Sequence, residues 1–247
     1  HPTIGRKGRG DATMIQTKTN DILQTGTRWK NANAGTSAGI LVVRNAPNGP
    51  VGASMEAFRA ETEESLRARF GSMDRAALRE LPVYREYAAY YRRFDKTYHV
   101  LMQLESIALK GKRIPKVSNL VTAMFAAELS SGVLTAGHDL DRLALPLEAS
   151  LATPDEAYAL LGKGTLQKMK EGDLRVADGR GLIGSILYGP NDRSPIGPDT
   201  RNVLYLVYGV PGVSRDAIRE HLEGLGHRVA SLSSGATTEG PEIVTAG

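Results

Sequence analysis

Near Asp141 the chain changes its pattern, and this change limits the possible folds more than any single motif does. Before it, apolar residues recur at the three- and four-residue offsets of a helical face. Met55, Phe58, Leu66 and Phe70 form one stripe, Glu61, Glu63 and Glu64 fall on the water side, and Gly71-Ser72 ends the run. A short helix is expected up to Leu81. Pro82 then opens another, because proline suits a first helical turn. Val83, Tyr87, Tyr90, Tyr91 and Phe94 give that helix an aromatic face, which reads as core packing rather than base stacking. A further helix over about 100–110 is expected to end at Gly111. After Asp141 the apolar residues fall in short runs at 143–147, 157–161, 174–177, 182–188 and 203–208, punctuated by Gly, Pro, Asp or Lys. That spacing predicts strands joined by turns. An earlier run, Ala38 to Arg44, reads as a buried strand. A closing amphipathic helix runs from Val213 to Leu225, with Ser214 as N-cap, Ile218, Leu222 and Leu225 as its buried stripe, and Gly226 as its stop. Helices early and strands late predict one α+β domain over residues 15–229. Residues 1–14 read as a tail ahead of Met14 or at it, and residues 230–247, rich in Ser, Thr and Gly, as a mobile tail.

Composition narrows the function classes. The chain has 247 residues, no cysteine, and no apolar run of bilayer-spanning length. Disulfides and thiolate-bound metals are excluded, and a soluble cytoplasmic protein is expected. A formal charge of +4 permits a nucleic-acid partner without requiring one. The histidines lack metal-ligand spacing, and neither Gly162-Lys-Gly164 nor Gly179-Arg-Gly181 completes a nucleotide-binding pattern. No metal and no cofactor is expected. No serine sits in a Gly-x-Ser-x-Gly elbow.

The stretch joining the two halves, Asn119 to Asp141, carries the chemistry. Leu120, Val121, Met124, Phe125 and Glu128 share a helical face that is apolar except for the last. Glu128 is therefore a solvated helix-end residue, a buried structural ion-pair partner or a carboxylate at a pocket rim. Ser130-Ser131-Gly132 breaks the helix, and Ala136-Gly-His-Asp-Leu-Asp141 follows, with His138 either a base or orienter or a plain turn residue. Asp139 and Asp141 either grip a ligand or cap the turn.

This stretch resembles the B3/B4 domain of the phenylalanyl-tRNA synthetase β subunit, an editing domain that hydrolyses mischarged tRNA. The family has a Val-Thr-Asn-Tyr-Val-Leu-x-Glu-Leu helix and a Met-His-Ala-Phe-Asp-x-Asp turn. Val121, Thr122, Glu128, Leu129, Asp139 and Asp141 match it here. A second similar stretch follows in the same order, carried by Ala177, Asp178, Gly184, Ile186, Gly189, Ser194, Thr200, Asn202, Val203 and Leu204. The chain departs from the pattern at Ala123, where the family has Asn, and at Ala136, where it has His. The family's glutamate for a tyrosine hydroxyl has no counterpart, although Asn191 and Asp192 lie close by in sequence.

The resemblance implies a B3/B4-like domain, a helical N-terminal half packed on a strand-rich C-terminal half. It also implies a trans-editing aminoacyl-tRNA deacylase that needs no cofactor. Glu128 and His138 are the catalytic candidates. Thr122, Asp139, Asn191, Asp192, Arg193, Thr200 and Asn202 are the substrate-binding candidates, the loop at 191–193 being a pocket rim or an ordinary surface turn. The expected partner is the aminoacylated acceptor end of tRNA, with no membrane. A non-catalytic module binding RNA, protein or a free amino acid, or an enzyme acting on a small amino-acid derivative, stands beside this reading.

Overall fold

The computed structural model describes residues 22–32 and 35–247, so the tail expected over residues 1–14 lies outside the described residues. The helical half contributes β1 (Leu23–Thr25), α1 (Thr27–Ala32), β2 (Ser37–Arg44), α2 (Ala53–Phe70), α3 (Arg75–Arg79), α4 (Pro82–Arg92), α5 (His99–Ala108) and α6 (Asn119–Ser131). The second half contributes β3 (Thr135–Asp139), β4 (Leu147–Leu151), β5 (Ala157–Ala159), β6 (Leu166–Lys168), β7 (Leu174–Asp178), β8 (Gly181–Ser185), β9 (Gly189–Pro190), β10 (Val203–Tyr208), α7 (Arg215–Ala230) and β11 (Thr237–Thr245). The fold is α+β.

Two sheets organise it, a four-stranded one in the order β11-β2-β10-β3 and a five-stranded one in the order β1-β4-β7-β8-β9. In the first, β2 and β10 are buried along nearly their whole length, so their sequences are continuous apolar runs rather than alternating ones. Gly39 and Leu41 face α7, where a Cβ on Gly39 would stand 2.8 Å from Ile218. Tyr205 shares that face and donates to the Leu120 carbonyl of α6. On the opposite face Tyr208 closes on Gly184 of β8. The sheet thus lies between a helical layer and the second sheet, and apolar burial on both sides drives its formation.

The aromatic face of α4 is core, as its spacing indicates, and its polar tips tie the layers together. Tyr84 donates to Leu129 O at 2.6 Å, Tyr87 to Tyr208 O at 2.6 Å, and Tyr91 to Ile186 O at 2.6 Å. Tyr98, stacked on Tyr87 at 4.9 Å, donates to Gly132 O at 2.8 Å. These carbonyls lie at or just beyond the ends of α6, β10 and β8, where helices and strands leave acceptors without partners. Buried carbonyls so satisfied avoid the cost of desolvation.

The structure corrects several expectations. Residues 230–247 are not a mobile tail: β11 pairs antiparallel with β2 from Thr237↔Arg44 to Thr245↔Ser37, with an irregularity between Glu239 and Glu242. A buried central strand needs partners on both edges, and this polar segment supplies one. Gly226 does not stop α7, which continues to Ala230; a Cβ at Gly226 would lie 2.6 Å from Leu41, so the glycine serves close helix–sheet packing. Glu63 does not face water. It is buried and accepts from the Ile114 N–H at 2.9 Å and from the Arg59 and Arg113 guanidinia. The segment after Ser131-Gly132 is a strand, β3, rather than a turn up to Asp139. Ending the chain before Thr237 is expected to expose the β2 edge and destabilise the fold by several kcal/mol. Urea unfolding of the shortened chain beside the full one checks this, and equal midpoints would contradict it.

Candidate functional site

A cavity of about 400 Å³ opens between α6, β3 and the segment from Ser185 to Ile196. Val121, Met124, Phe125, Leu134, Ile186 and Ile196 make its walls apolar. Val117 and Leu161 are exposed apolar residues at its mouth, and His99 also borders it.

Its one carboxyl group among the described residues is that of Glu128. Ser118 caps the start of α6, and Gly132, at φ 78°, ends it in the left-handed region. The chain then doubles back into β3, which brings the Thr135 N–H to Glu128 Oε1 at 2.7 Å. The carboxyl is buried and has no cation beside it among the described residues. Burial pushes its pKa up to about 8, against the opposing pull of the Thr135 N–H. A structural ion pair, one of the readings open from sequence, is therefore not what holds it. Thr135 is braced in turn: its hydroxyl meets His221 Nε2 at 2.7 Å, and His221 Nδ1 meets Ser131 Oγ at 2.9 Å. Burial brings the His221 pKa down to about 4, so the ring is neutral.

β3 is an edge strand, and along such a strand alternate N–H groups point away from the sheet. Thr135 sends its N–H to Glu128, and Asp139 sends its own to Ser194 O at 3.0 Å. Gly137, between them, has the same orientation and lines the cavity. A Cβ there would lie 2.6 Å from Ile196 Cδ1, so a larger residue would push the Ile196 side chain out of its present place. At the far end Tyr208 Oη is buried without a hydrogen-bond partner among the described residues. The Ser185 hydroxyl nearby makes a 3.5 Å contact with Tyr158 Oη and also hydrogen-bonds the buried Asp173 carboxyl. The arrangement offers an apolar pocket, one carboxyl group, an outward backbone donor and a phenol without a partner among the described residues.

Of the residues nominated from sequence, Glu128 alone lines the cavity. His138 alternates with Gly137 on β3 and is fully buried, with Nδ1 2.9 Å from Ser194 Oγ and Nε2 without a partner among the described residues. Burial, helped by the Arg193 charge and countered by Asp178, brings its pKa down to about 4. The remaining candidates hold loops together. Thr122 Oγ1 accepts from the Val117 N–H, and Asp139 accepts from the Asp141 N–H and from Thr200 Oγ1 at 2.7 Å. Asn191 accepts from both the N–H and the hydroxyl of Ser194, and Asn202 donates to Asp141. Arg193 grips Asp178 through two 2.8 Å bonds, while Asp192 is exposed. Thr135, Gly137 and Tyr208 were not nominated. Tyr208 reads in sequence as the end of an apolar strand, and a backbone donor carries no side-chain signal. Among the described residues no group of three His, Cys, Asp or Glu is placed to hold a metal, and no helix is long and apolar enough to cross a membrane.

No family model and no curated protein matches the sequence. Among solved structures, the chain is similar to an N-terminal fragment of the phenylalanyl-tRNA synthetase β subunit from Pyrococcus horikoshii. The TM-score is 0.50 at 12% identity, covering 90% of this chain. The chain spans about half of that fragment, 51% of its length. A TILS C-terminal domain also matches, at TM-score 0.28 and 15% identity over 31% of this chain and 70% of that one, a likeness too slight to bear on the fold. The α+β fold built here is thus similar, at the level of fold, to part of a tRNA synthetase subunit.

Proposed function

We propose that the cavity binds the aminoacyl end of a mischarged tRNA and hydrolyses its ester. The observation that carries this reading is Glu128: a buried carboxyl with no neighbouring cation among the described residues, fixed by Thr135 beside the outward N–H of Gly137, in a pocket large enough for an amino-acid side chain. The fold likeness to the synthetase fragment supports the choice of tRNA ester over other esters.

In this mechanism the apolar walls take the amino-acid side chain. Ionised Glu128 accepts a proton from a water whose oxygen bonds to the ester carbonyl carbon. The carbonyl oxygen gains the negative charge and receives the Gly137 N–H, a donor that needs no reorganisation. Collapse of the tetrahedral intermediate breaks the bond to the ribose oxygen, which takes the proton back from Glu128. The ester is already activated, so positioning and electrostatics suffice without a covalent nucleophile.

The test is release of radiolabelled amino acid from a panel of mischarged tRNAs, beside a no-protein control. Rapid release from a subset is the expected result. If every tRNA stays charged at the control rate, the reading fails, and tRNA bound without turnover would make the chain a binding module.

A further inference from the structure

A second hollow, of about 380 Å³, adjoins the cavity and shares His99 with it as a common wall. Met102 and Pro115 give it an apolar floor, and Lys112 and Arg113 stand at its edge. Met102 is 55% exposed, so its side chain is open to a ligand. Lys112 makes no ion pair among the described residues, whereas Arg113 is engaged by Glu56 and Glu63. The loop at 109–118 that carries them contains Lys110, Lys112, Arg113 and Lys116 and no acidic residue. An unpartnered cation beside an exposed apolar floor matches a ligand that pairs negative charge with flat apolar faces. Unpaired nucleotides have that chemistry.

We propose that this hollow holds the unpaired nucleotides at the 3′ end of the RNA, with a base over Met102 and Pro115 and a phosphate at Lys112. The inference rests on the reading of the cavity as an aminoacyl-ester site. The terminal ribose then lies at His99, where the two spaces meet, and the amino acid passes inward toward Glu128. The neutral His99 ring, edge-on to Tyr91 and Tyr98, is fixed as a partition between them. Its pKa is lowered by the packing around it, so no charge at the partition repels Lys112.

The experiment measures binding by fluorescence anisotropy for uncharged tRNA and for the same tRNA trimmed of its unpaired 3′ nucleotides. Wild type is compared with Met102→Ser and Lys112→Ala, both changes at exposed positions, with melting curves confirming the fold. Trimming is expected to weaken wild-type binding about tenfold. Each variant is expected to weaken binding of intact tRNA several-fold and to leave trimmed tRNA unaffected. The slope of log K against log salt falls by about 0.7 in Lys112→Ala, one phosphate contact on a single strand. Equal binding of intact and trimmed tRNA, variants that match wild type, or no wild-type affinity for tRNA would each overturn the proposal. Affinity that depends on the 3′ end without hydrolysis of charged tRNA would instead leave this site standing and defeat the deacylase reading.

Discussion

Glu128→Gln is expected to leave the chain folded and to lower ester hydrolysis by about a hundredfold or more. The amide oxygen still accepts the Thr135 N–H, but it cannot take a proton from water. With a pKa of about 8 in the folded chain, the carboxylate becomes the major form only above that pH. Wild-type hydrolysis is therefore expected to climb about tenfold per pH unit below 8 and to level off above it, while the variant stays flat. Stability carries the opposite signature. The folded pKa lies above the ordinary 4.5, so the folded state holds the proton more tightly. The resulting stabilisation is fully present below 4.5 and is lost as pH rises through 8. Glutamine does not titrate, so denaturant midpoints of wild type and variant should diverge between those limits, the wild type losing ground as pH rises. A flat wild-type rate profile, or full activity in the variant, would remove Glu128 from the chemistry.

Arg193→Ala is expected to destabilise the fold by about 2–3 kcal/mol. Sequence nominated Arg193 for substrate, yet its guanidinium is committed to Asp178, whose side chain is fully buried. Burial alone would push the Asp178 pKa up. Arg193 and the N–H groups of Ala144 and Arg180 outweigh it and hold the carboxyl below its ordinary range. That contribution is present above the ordinary carboxylate range and is lost as pH falls through the lowered folded value. Without Arg193 a buried carboxylate keeps only backbone donors. Arg193→Lys restores little, because a lysine cannot reproduce the two-pronged contact. The double change Arg193→Met with Asp178→Asn is expected to recover part of the loss, since it removes the uncompensated charge. Urea unfolding of all four chains reads the result. An Arg193→Ala midpoint equal to wild type would contradict a structural role for this pair.

How much of this was legible in the chain depended on whether the cause was local. Pro82 at the start of α4, Gly132 ending α6 and the Ser214 cap of α7 act within a few residues, and each is where the sequence places it. The runs forming β2 and β10 were also readable, because strands covered on both faces must be apolar throughout. β11 was not readable. Its threonine, glycine, proline and glutamate content resembles a tail, and only the open edge of β2 makes it a strand. Gly226 misled for a similar reason, since its need for contact with Leu41 is tertiary. In the site, Glu128 stood out as the polar member of an apolar helical face. His138 drew attention by residue type, but the register of β3 against β10 turns it inward, where it meets Ser194. Gly137 and Tyr208 acquire meaning only when an edge strand and a second sheet converge on one cavity.

The phenol bonds that tie α4 to the rest of the chain also give the protein a built-in optical gauge. The chain holds 9 tyrosines, and burial raises the pKa of Tyr84, Tyr87, Tyr91 and Tyr98. While the layers stay joined, these rings cannot ionise in mild alkali, whereas half-buried Tyr188 is nearer to solvent. Tyrosinate absorbance on alkaline titration therefore counts fastenings rather than residues. A small early rise followed by one abrupt step means that α4 lets go of both sheets as a unit, and a staircase means that its hold is released one carbonyl at a time.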